Sequence, residues 1–322
     1  MMTNSAEPCV LCVFDEVNEA TGLLIQKSQK LANAEQISLK LLCVLPDKWF
    51  HYAAESEQTI QERVRPRLRE QLFRLAAAYN IDEKISFDVQ FGKPFVEIIK
   101  YQQRVNAQLV VKRAEQKSWL QQAITMTSND MHLLRKCPVP VFLVRSQQAT
   151  LPQNIFVAVD FDMDDPASHA DELNKKMLGT LVRYFDNEQT QCTLFNAYNA
   201  PHAGFVSLFA DDSEAITKDM AAHEKGFKSG ELNLLLHFMR ENLAPKYLDK
   251  HTKQLLIQGH AEQLIPQQLK QQQSDLLVIG SVARTGIPGL LIGNTAEEIL
   301  LSVDCDVLTL KPDGFVSPVL AH

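Results

Sequence analysis

Short apolar runs alternate with amphipathic stretches along the whole chain. In the first half, the apolar runs that predict strands fall at residues 9–15, 38–45, 85–91, 108–113 and 139–144. In the second half they fall at residues 155–160, 191–197, 254–258, 275–280 and 306–310. Strands that alternate with helical periodicity are typical of βαβ units, so the pattern predicts an α/β protein built on parallel sheets.

The same pattern contains an internal repeat. Gly92, with an apolar run at 108–111, and Gly259, with an apolar run at 275–278, are related by one constant offset. Each half also opens on an apolar strand that ends at an aspartate, and closes on a cysteine followed by a short strand. Anchors that recur in the same order indicate a duplication rather than chance.

The repeat predicts two tandem domains. We expect them at residues 1–148 and 149–314, with the linker near 147–153 and a C-terminal tail at 315–322. Each domain is predicted to be doubly wound, with a five-stranded parallel sheet.

A glycine-spaced crossing from strand to helix lies near the C-terminus. The apolar run 276–279 ends at Gly280, Ala283 follows three residues later, and nine further residues lead to Gly293 and Asn294. A buried strand that feeds a helix through a glycine-bearing loop leaves backbone N–H groups free for an anion. The segment therefore predicts an anion or phosphate site.

This spacing resembles the motif of the universal stress protein family, which runs glycine, two residues, glycine, nine residues, glycine, then Ser or Thr. Gly280 and Gly293 match the first and third glycines, whereas Ala283 and Asn294 replace the second glycine and the hydroxyl residue. Residues 130–138 and 284–286 are similar to segments of the E-type members. The resemblance covers nearly the whole chain.

The resemblance implies a fold and a site. It implies two Rossmann-like domains, similar to adenine nucleotide alpha hydrolases, arranged as a pseudo-dimer through their last strands, and a cytoplasmic stress-response protein. It places an aspartate beside adenosine and a glycine loop around phosphates, with ATP as the one cofactor suggested. The candidate nucleotide or anion site then consists of Asp160, Gly280, Ala283, Arg284, Gly293, Asn294 and Thr295.

Structural explanations compete with this site. Ala283 adds a Cβ where the backbone should approach a ligand. Asn294 can cap the helix, and Thr295 with Glu298 forms a capping-box pattern. In the first half, Arg113 stands where the second half has Gly280.

The first half has no glycine loop, because no glycine occurs between Arg113 and Cys137. We therefore expect no nucleotide there, although Lys112, Arg113 and Lys117 could meet an isolated anion.

Catalytic and metal motifs are missing from the sequence. It has no Gly-x-Ser-x-Gly elbow, no phosphate-loop lysine and no His-Glu-x-x-His, so we expect no catalytic residue and no metal. The acidic run Asp160, Asp162, Asp164 and Asp165 lacks the glycine and the glutamate of a calcium loop. Cys9 and Cys12 should point to opposite faces of a strand, and all six cysteines are expected to be buried and reduced.

Composition narrows the partners. The chain of 322 residues has a net charge of −7, with +3 in the first 150 residues and −10 in the rest, which argues against a nucleic-acid partner. No apolar run approaches the ~20 residues of a membrane span. The insertion at 198–243 either lines an apolar pocket or, as we prefer, packs on the sheet.

Three functions remain open. The first is a non-catalytic stress-response protein that senses or carries an unidentified small ligand, or acts through protein contacts, as an intramolecular pseudo-dimer that can dimerise further. The second is a nucleotide switch or weak ATPase that works through the second domain. The third is a carrier of an apolar or acyl ligand.

Overall fold

The computed structural model describes residues 7–46, 57–79, 81, 85–114, 129–161, 170–200, 212–281 and 293–320. Its strands form a single ten-stranded sheet, and every predicted strand is present. The strands are β1 (Cys9–Phe14), β2 (Ser38–Leu45), β3 (Ser86–Phe91), β4 (Ala107–Arg113), β5 (Val141–Val144), β6 (Asn154–Ala158), β7 (Gln191–Tyr198), β8 (Thr252–Gln258), β9 (Leu276–Gly280) and β10 (Asp306–Leu310).

Helices connect these strands. They are α1 (Glu19–Ala34), α2 (Glu57–Ala78), α3 (Pro94–Val105), α4 (Asn129–Lys136), α5 (Ala170–Phe185), α6 (Ser213–Phe238), α7 (Ala261–Gln271) and α8 (Asn294–Ser302). A π-helical turn at Met239–Leu243 extends α6.

The strand order is β3-β2-β1-β4-β5-β10-β9-β6-β7-β8, so the sheet has two equivalent halves. Pairing is parallel within the N-terminal half (β1–β5) and within the C-terminal half (β6–β10). The halves join where β5 and β10 pair antiparallel, with Leu143 opposite Val307 and Val141 opposite Thr309. The predicted α/β fold is confirmed, and the last strands pair as expected.

The burial of each strand follows its composition. The central strands β1, β5 and β10 are apolar runs that are buried throughout, because helices cover both faces of a parallel sheet. The edge strands β3 and β8 are mixed in character and only partly buried. Hydrophobic contacts place α1, α2, α5 and α6 on one face of the sheet, and α3, α4, α7 and α8 on the other.

Two glycines mark the repeat in three dimensions. Gly92 follows β3 with φ +145°, and Gly259 follows β8 with φ +141°. L-residues rarely adopt this backbone conformation, so each half needs glycine at the same turn into a helix.

The cysteines lie in or beside the hydrophobic core. Cys9 and Cys12 pack into the cores on opposite faces of the sheet, and all six cysteines are free thiols, five of them buried.

The predicted insertion at 198–243 contains α6 and the π-helical turn. Leu235 and Leu236 of α6 and Met239 of the turn belong to the hydrophobic core. The described part of the insertion therefore packs on the sheet, as preferred, and residues 201–211 lie outside the described ranges.

Candidate ligand-binding crevice

The candidate site lies at the carboxyl ends of β6 and β9. Asp160 follows β6, Gly280 ends β9, and Gly293 precedes α8. Because β6 and β9 are neighbouring parallel strands, these residues share one edge of the sheet, where doubly wound folds bind ligands. Ala283 and Arg284 lie outside the described residues.

A buried amide holds the backbone of Asp160. The Asp160 N–H donates to Asn174 Oδ1 at 3.2 Å, and Asn174 Nδ2 donates to the Asp160 carbonyl at 2.7 Å. Asn174 comes from α5 and is 1% exposed. This reciprocal pair fixes the end of β6, and the Asp160 residue keeps partial exposure to solvent.

A second buried amide lies beside it. Asn196 on β7 donates from Nδ2 to the Val159 carbonyl at 2.7 Å. Within the described ranges its Oδ1 has no hydrogen-bond partner, although the residue is 2% exposed. A buried acceptor without a donor is costly, so this atom needs a partner from outside the described residues.

Sequence reasoning missed both asparagines. The available signal was a polar residue inside a buried run, since Asn196 follows Leu194 and Phe195 on β7. Asn174 was hidden because it is one polar position in an otherwise regular amphipathic helix.

Packing explains the glycine that ends β9. A Cβ on Gly280 would lie 2.5 Å from Leu173 Cδ2, the end of a flexible, partly buried side chain on α5, so this side chain would have to move to admit it. Packing against Leu173 is therefore a structural reason for glycine that does not depend on a ligand.

The start of α8 differs from the predicted capping box. Gly293 is the N-cap, Asn294 is the first helical residue, and no side chain caps the helix. The capping-box prediction for Thr295 and Glu298 was therefore wrong, because the helix begins before Thr295. The N-cap geometry of Gly293, with φ −58°, is open to other residues, so backbone strain does not demand glycine.

An ion pair across the junction balances the charge at this helix. Glu297, in the first turn of α8, accepts from Arg135 of α4 at 2.5 Å, and both side chains are largely buried. The acid adds negative charge near the helix N-terminus, which Arg135 offsets.

The equivalent crevice of the N-terminal half lacks both amides. The buried positions of α1 and α5 align Thr21 with Asn174, and Thr21 Oγ1 donates to the Glu16 carbonyl at 2.7 Å, just beyond the end of β1. The strands β2 and β7 both have eight residues, and Cys43 occupies the position of Asn196. Burial raises the pKa of the Cys43 thiol to about 12, so it remains neutral. Neither buried amide is repeated.

In the N-terminal half, an acidic residue lies in the first turn of α4, the helix equivalent to α8. Lys112 of β4 and Asp130 in the first turn of α4 lie 2.7 Å apart, with each side chain 10% exposed. A carboxylate therefore already lies near the N-terminus of α4. The prediction that Lys112 could meet an isolated anion must be corrected, because its ammonium is bound to Asp130.

A cleft of about 520 Å³ borders the ends of β7 and β8. Tyr198, Gln258 and one face of α6 line it, including Lys218 and Lys225.

The described residues contain neither a metal cluster nor a membrane-spanning helix. Within the described ranges, no three His, Cys, Asp or Glu side chains come together as metal ligands. Asp162, Asp164 and Asp165 of the predicted acidic run lie outside those ranges. No helix in the described part of the chain is long and apolar enough to cross a bilayer.

Known proteins match this architecture. Residues 9–145 and 153–311 each match the universal stress protein family. The chain is 26% identical over 294 residues to Universal stress protein E of Salmonella typhi, covering 88% of this chain and 89% of the relative. It is 30% identical over 209 residues to the Universal stress protein E homolog of Haemophilus influenzae, covering 64% and 63%.

Solved structures agree in fold. A universal stress protein from Archaeoglobus fulgidus DSM 4304 superposes with a TM-score of 0.62 at 14% identity, covering 94% of this chain and 98% of that one. A second, from Pseudomonas aeruginosa UCBPP-PA14, gives 0.57 at 22% identity, covering 97% and 95%. With two matching regions that span most of its length, this chain belongs to the universal stress protein family and carries the family's domain twice in tandem.

Proposed function

We propose that the chain is a non-catalytic, cytoplasmic stress-response protein whose C-terminal half binds a small ligand in the crevice beside Asp160. The N-terminal half serves as its structural partner, with the boundary between them at residues 148 and 149. One observation carries the proposal: the buried amide of Asn196 in one crevice is replaced by the Cys43 thiol at the equivalent position of the other.

The chemistry of the crevice favours a ligand that offers hydrogen-bond donors. Asn196 Oδ1 is a buried acceptor that has no partner among the described residues, and the Asp160 carboxylate is a second acceptor on the same edge of the sheet. Such acceptors match amino or hydroxyl groups, and the free N-terminus of α8 favours an anionic group. A nucleotide has both kinds of group, so ATP is the candidate ligand.

The absence of catalysis is proposed from the same residues. Asn174 and Asn196 are amides, which are neither acids nor bases, and they bind the backbone at Asp160 and Val159. A hydrolase needs a positioned base or nucleophile with an orienting partner. The alternative is a weak ATPase in which Asp160 and Arg284 hold a water against a bound phosphate.

The first experiment is native mass spectrometry of the chain purified from its own host, with and without Asn196→Leu. We expect a small ligand that co-purifies with the wild type and is lost from the variant. Cys43→Ala, at the equivalent position of the N-terminal half, is the matched control and should retain the ligand. Equal occupancy in all three proteins would refute the assignment of the crevice.

A hydrolysis assay separates the two candidates. We expect no phosphate release from ATP. Release that disappears in both Asp160→Ala and Arg284→Ala, with the fold intact by circular dichroism, would establish the nucleotide switch instead.

A further inference from the structure

A buried lysine links the two halves at the edge of the candidate crevice. Lys311 directly follows β10 and is 3% exposed. Its Nζ donates to Ser281 Oγ at 2.9 Å and to the Leu134 carbonyl, and it lies 5.0 Å from the centre of the Phe315 ring. Ser281 directly follows β9, whereas Leu134 belongs to α4 of the N-terminal half.

The Leu134 carbonyl needs this partner. Its usual helical donor would be the N–H of residue 138, which is a proline and has none. A cation at a helix C-terminus is favourable, so Lys311 caps α4. The same ammonium group holds Ser281, which is 1% exposed.

In the N-terminal half, the residue equivalent to Lys311 lacks the contact to the end of the neighbouring strand. The Ala114 N–H donates to the Val144 carbonyl at 2.9 Å, and the Ser281 N–H donates to the Leu310 carbonyl at the same distance. Arg145 therefore corresponds to Lys311, and its guanidinium donates to the carbonyls of Leu300 and Val303 at the end of α8. Ala114, after β4, has no hydroxyl group for Arg145 to bind, whereas Lys311 donates to the Ser281 hydroxyl after β9.

We propose that Lys311 is a positioning residue that couples the N-terminal half to the ligand crevice, because it fixes Ser281 at the end of β9 against α4. The proposal rests on the proposed function for its ligand, and the coupling itself is testable without one. Disturbance of the junction near Leu134 then loosens the carboxyl end of β9, and a ligand held there tightens the junction in return.

The coupling is sensitive to pH. Burial lowers the pKa of Lys311 to about 8; the nearby Cys137 raises it and Lys176 lowers it further. Lys176 itself is paired with Asp313, and no described carboxylate forms an ion pair with Lys311. Loss of the proton removes the cost of keeping a charge in this buried site, so the closed junction is favoured more strongly as the pH rises through about 8.

The test is hydrogen exchange, followed by mass spectrometry, on the full-length protein. Peptides that contain Ile279 to Ser281 should exchange about tenfold faster in Lys311→Met and Ser281→Ala than in the wild type, as expected for loss of one charge-assisted bond. Arg145→Met is the matched control, since it removes a cap without touching Ser281, and should leave these peptides unchanged. After correction for intrinsic rates, exchange from these peptides in the wild type should slow as the pH rises through about 8, because the neutral amine is favoured at the buried site. Lys311→Arg, which keeps its charge, should show no such change.

Two results of the exchange experiment would refute the coupling. Equal exchange in Lys311→Met and the wild type, or equal loosening in Lys311→Met and Arg145→Met, overturns the coupling. ATP titration of the same proteins is a separate arm. If the wild type binds no ATP, the nucleotide candidate fails while the exchange result still decides the role of Lys311.

Discussion

Lys27 Nζ lies 2.9 Å from Asp306 Oδ2, and the two side chains are 2% and 1% exposed. Lys27 belongs to α1 of the N-terminal half and Asp306 begins β10 of the C-terminal half. The backbone N–H groups of Arg145 and Ser146 donate to the other oxygen of Asp306 at 2.7 and 2.8 Å. The junction between the halves thus contains a buried ion pair whose carboxylate is fully engaged.

Removal of one partner should be costly. Lys27→Met leaves the Asp306 carboxylate buried without a counter-charge, so we expect the free energy of unfolding to fall by about 3–5 kcal/mol. The double variant Lys27→Met with Asp306→Asn removes both charges and keeps an acceptor for the backbone donors. It should recover most of the loss in urea unfolding, and a double variant no more stable than Lys27→Met would contradict this view.

The pKa of Lys311 predicts how stability changes with pH. Its folded value of about 8 lies below the ordinary 10.5, so the unfolded chain binds the proton more tightly between these values. The contribution of Lys311 to the free energy of unfolding should therefore rise by about 3 kcal/mol from pH 8 to pH 10.5.

The measurement is urea unfolding of the wild type and Lys311→Met across that range. Burial raises the pKa of the Cys12 and Cys192 thiols to about 12, and their contribution to the pH dependence is common to both proteins, so the difference between the two reports Lys311. The free energy of unfolding of the wild type should rise relative to that of Lys311→Met as the pH rises. A constant difference between the two would show that the ammonium is not desolvated.

Packing predicts the effect of a methyl group at Gly280. Gly280→Ala places its Cβ against Leu173, so we expect a loss of about 1–3 kcal/mol in the absence of any ligand. Adding Leu173→Ala relieves the clash and should make the Gly280→Ala step nearly neutral. If Gly280→Ala alone is neutral in thermal unfolding, the glycine is not retained for packing.

The strands were predictable because each central one is a separate apolar run, and a buried parallel strand needs little else. The helix start at Gly293 was misjudged, since local capping patterns compete over a few residues. Asn196, Lys27 and Lys311 acquire their roles from partners far along the chain, with Lys27 and Asp306 separated by 279 positions. No local pattern reports such contacts.

The isolated N-terminal half should not remain a monomer. Residues 1–148 would expose the edge of β5 that pairs with β10, and would leave Lys27 without Asp306. An uncovered apolar edge strand invites pairing with another chain. Light scattering should show dimers or aggregates, and a stable monomer would argue that the junction contributes little.

Repair of the glycine motif should strengthen nucleotide binding. We expect the wild type to bind ATP with a dissociation constant above ~1 μM, equivalent to about −8 kcal/mol. Ala283→Gly with Asn294→Ser restores the family pattern at its two altered positions and should lower that constant. Isothermal titration gives both values, and an unimproved double variant would place the limiting defect elsewhere, with Leu173 beside Gly280 as the next position to change.

The antiparallel junction of β5 and β10 lies inside one polypeptide. Its two sides therefore need not be the same surface, as they must be in a symmetric homodimer. In a homodimer with twofold symmetry every contact occurs twice, so a lysine placed at the interface must suit both copies. Here the positions equivalent to Lys27 and Asp306 are Thr180 and Pro140, and the contact occurs once. Covalent linkage also keeps the partners at high effective concentration, so association no longer depends on the amount of protein in the cell. Each half can consequently diverge independently, and one can lose polar crevice residues while it still supports its neighbour.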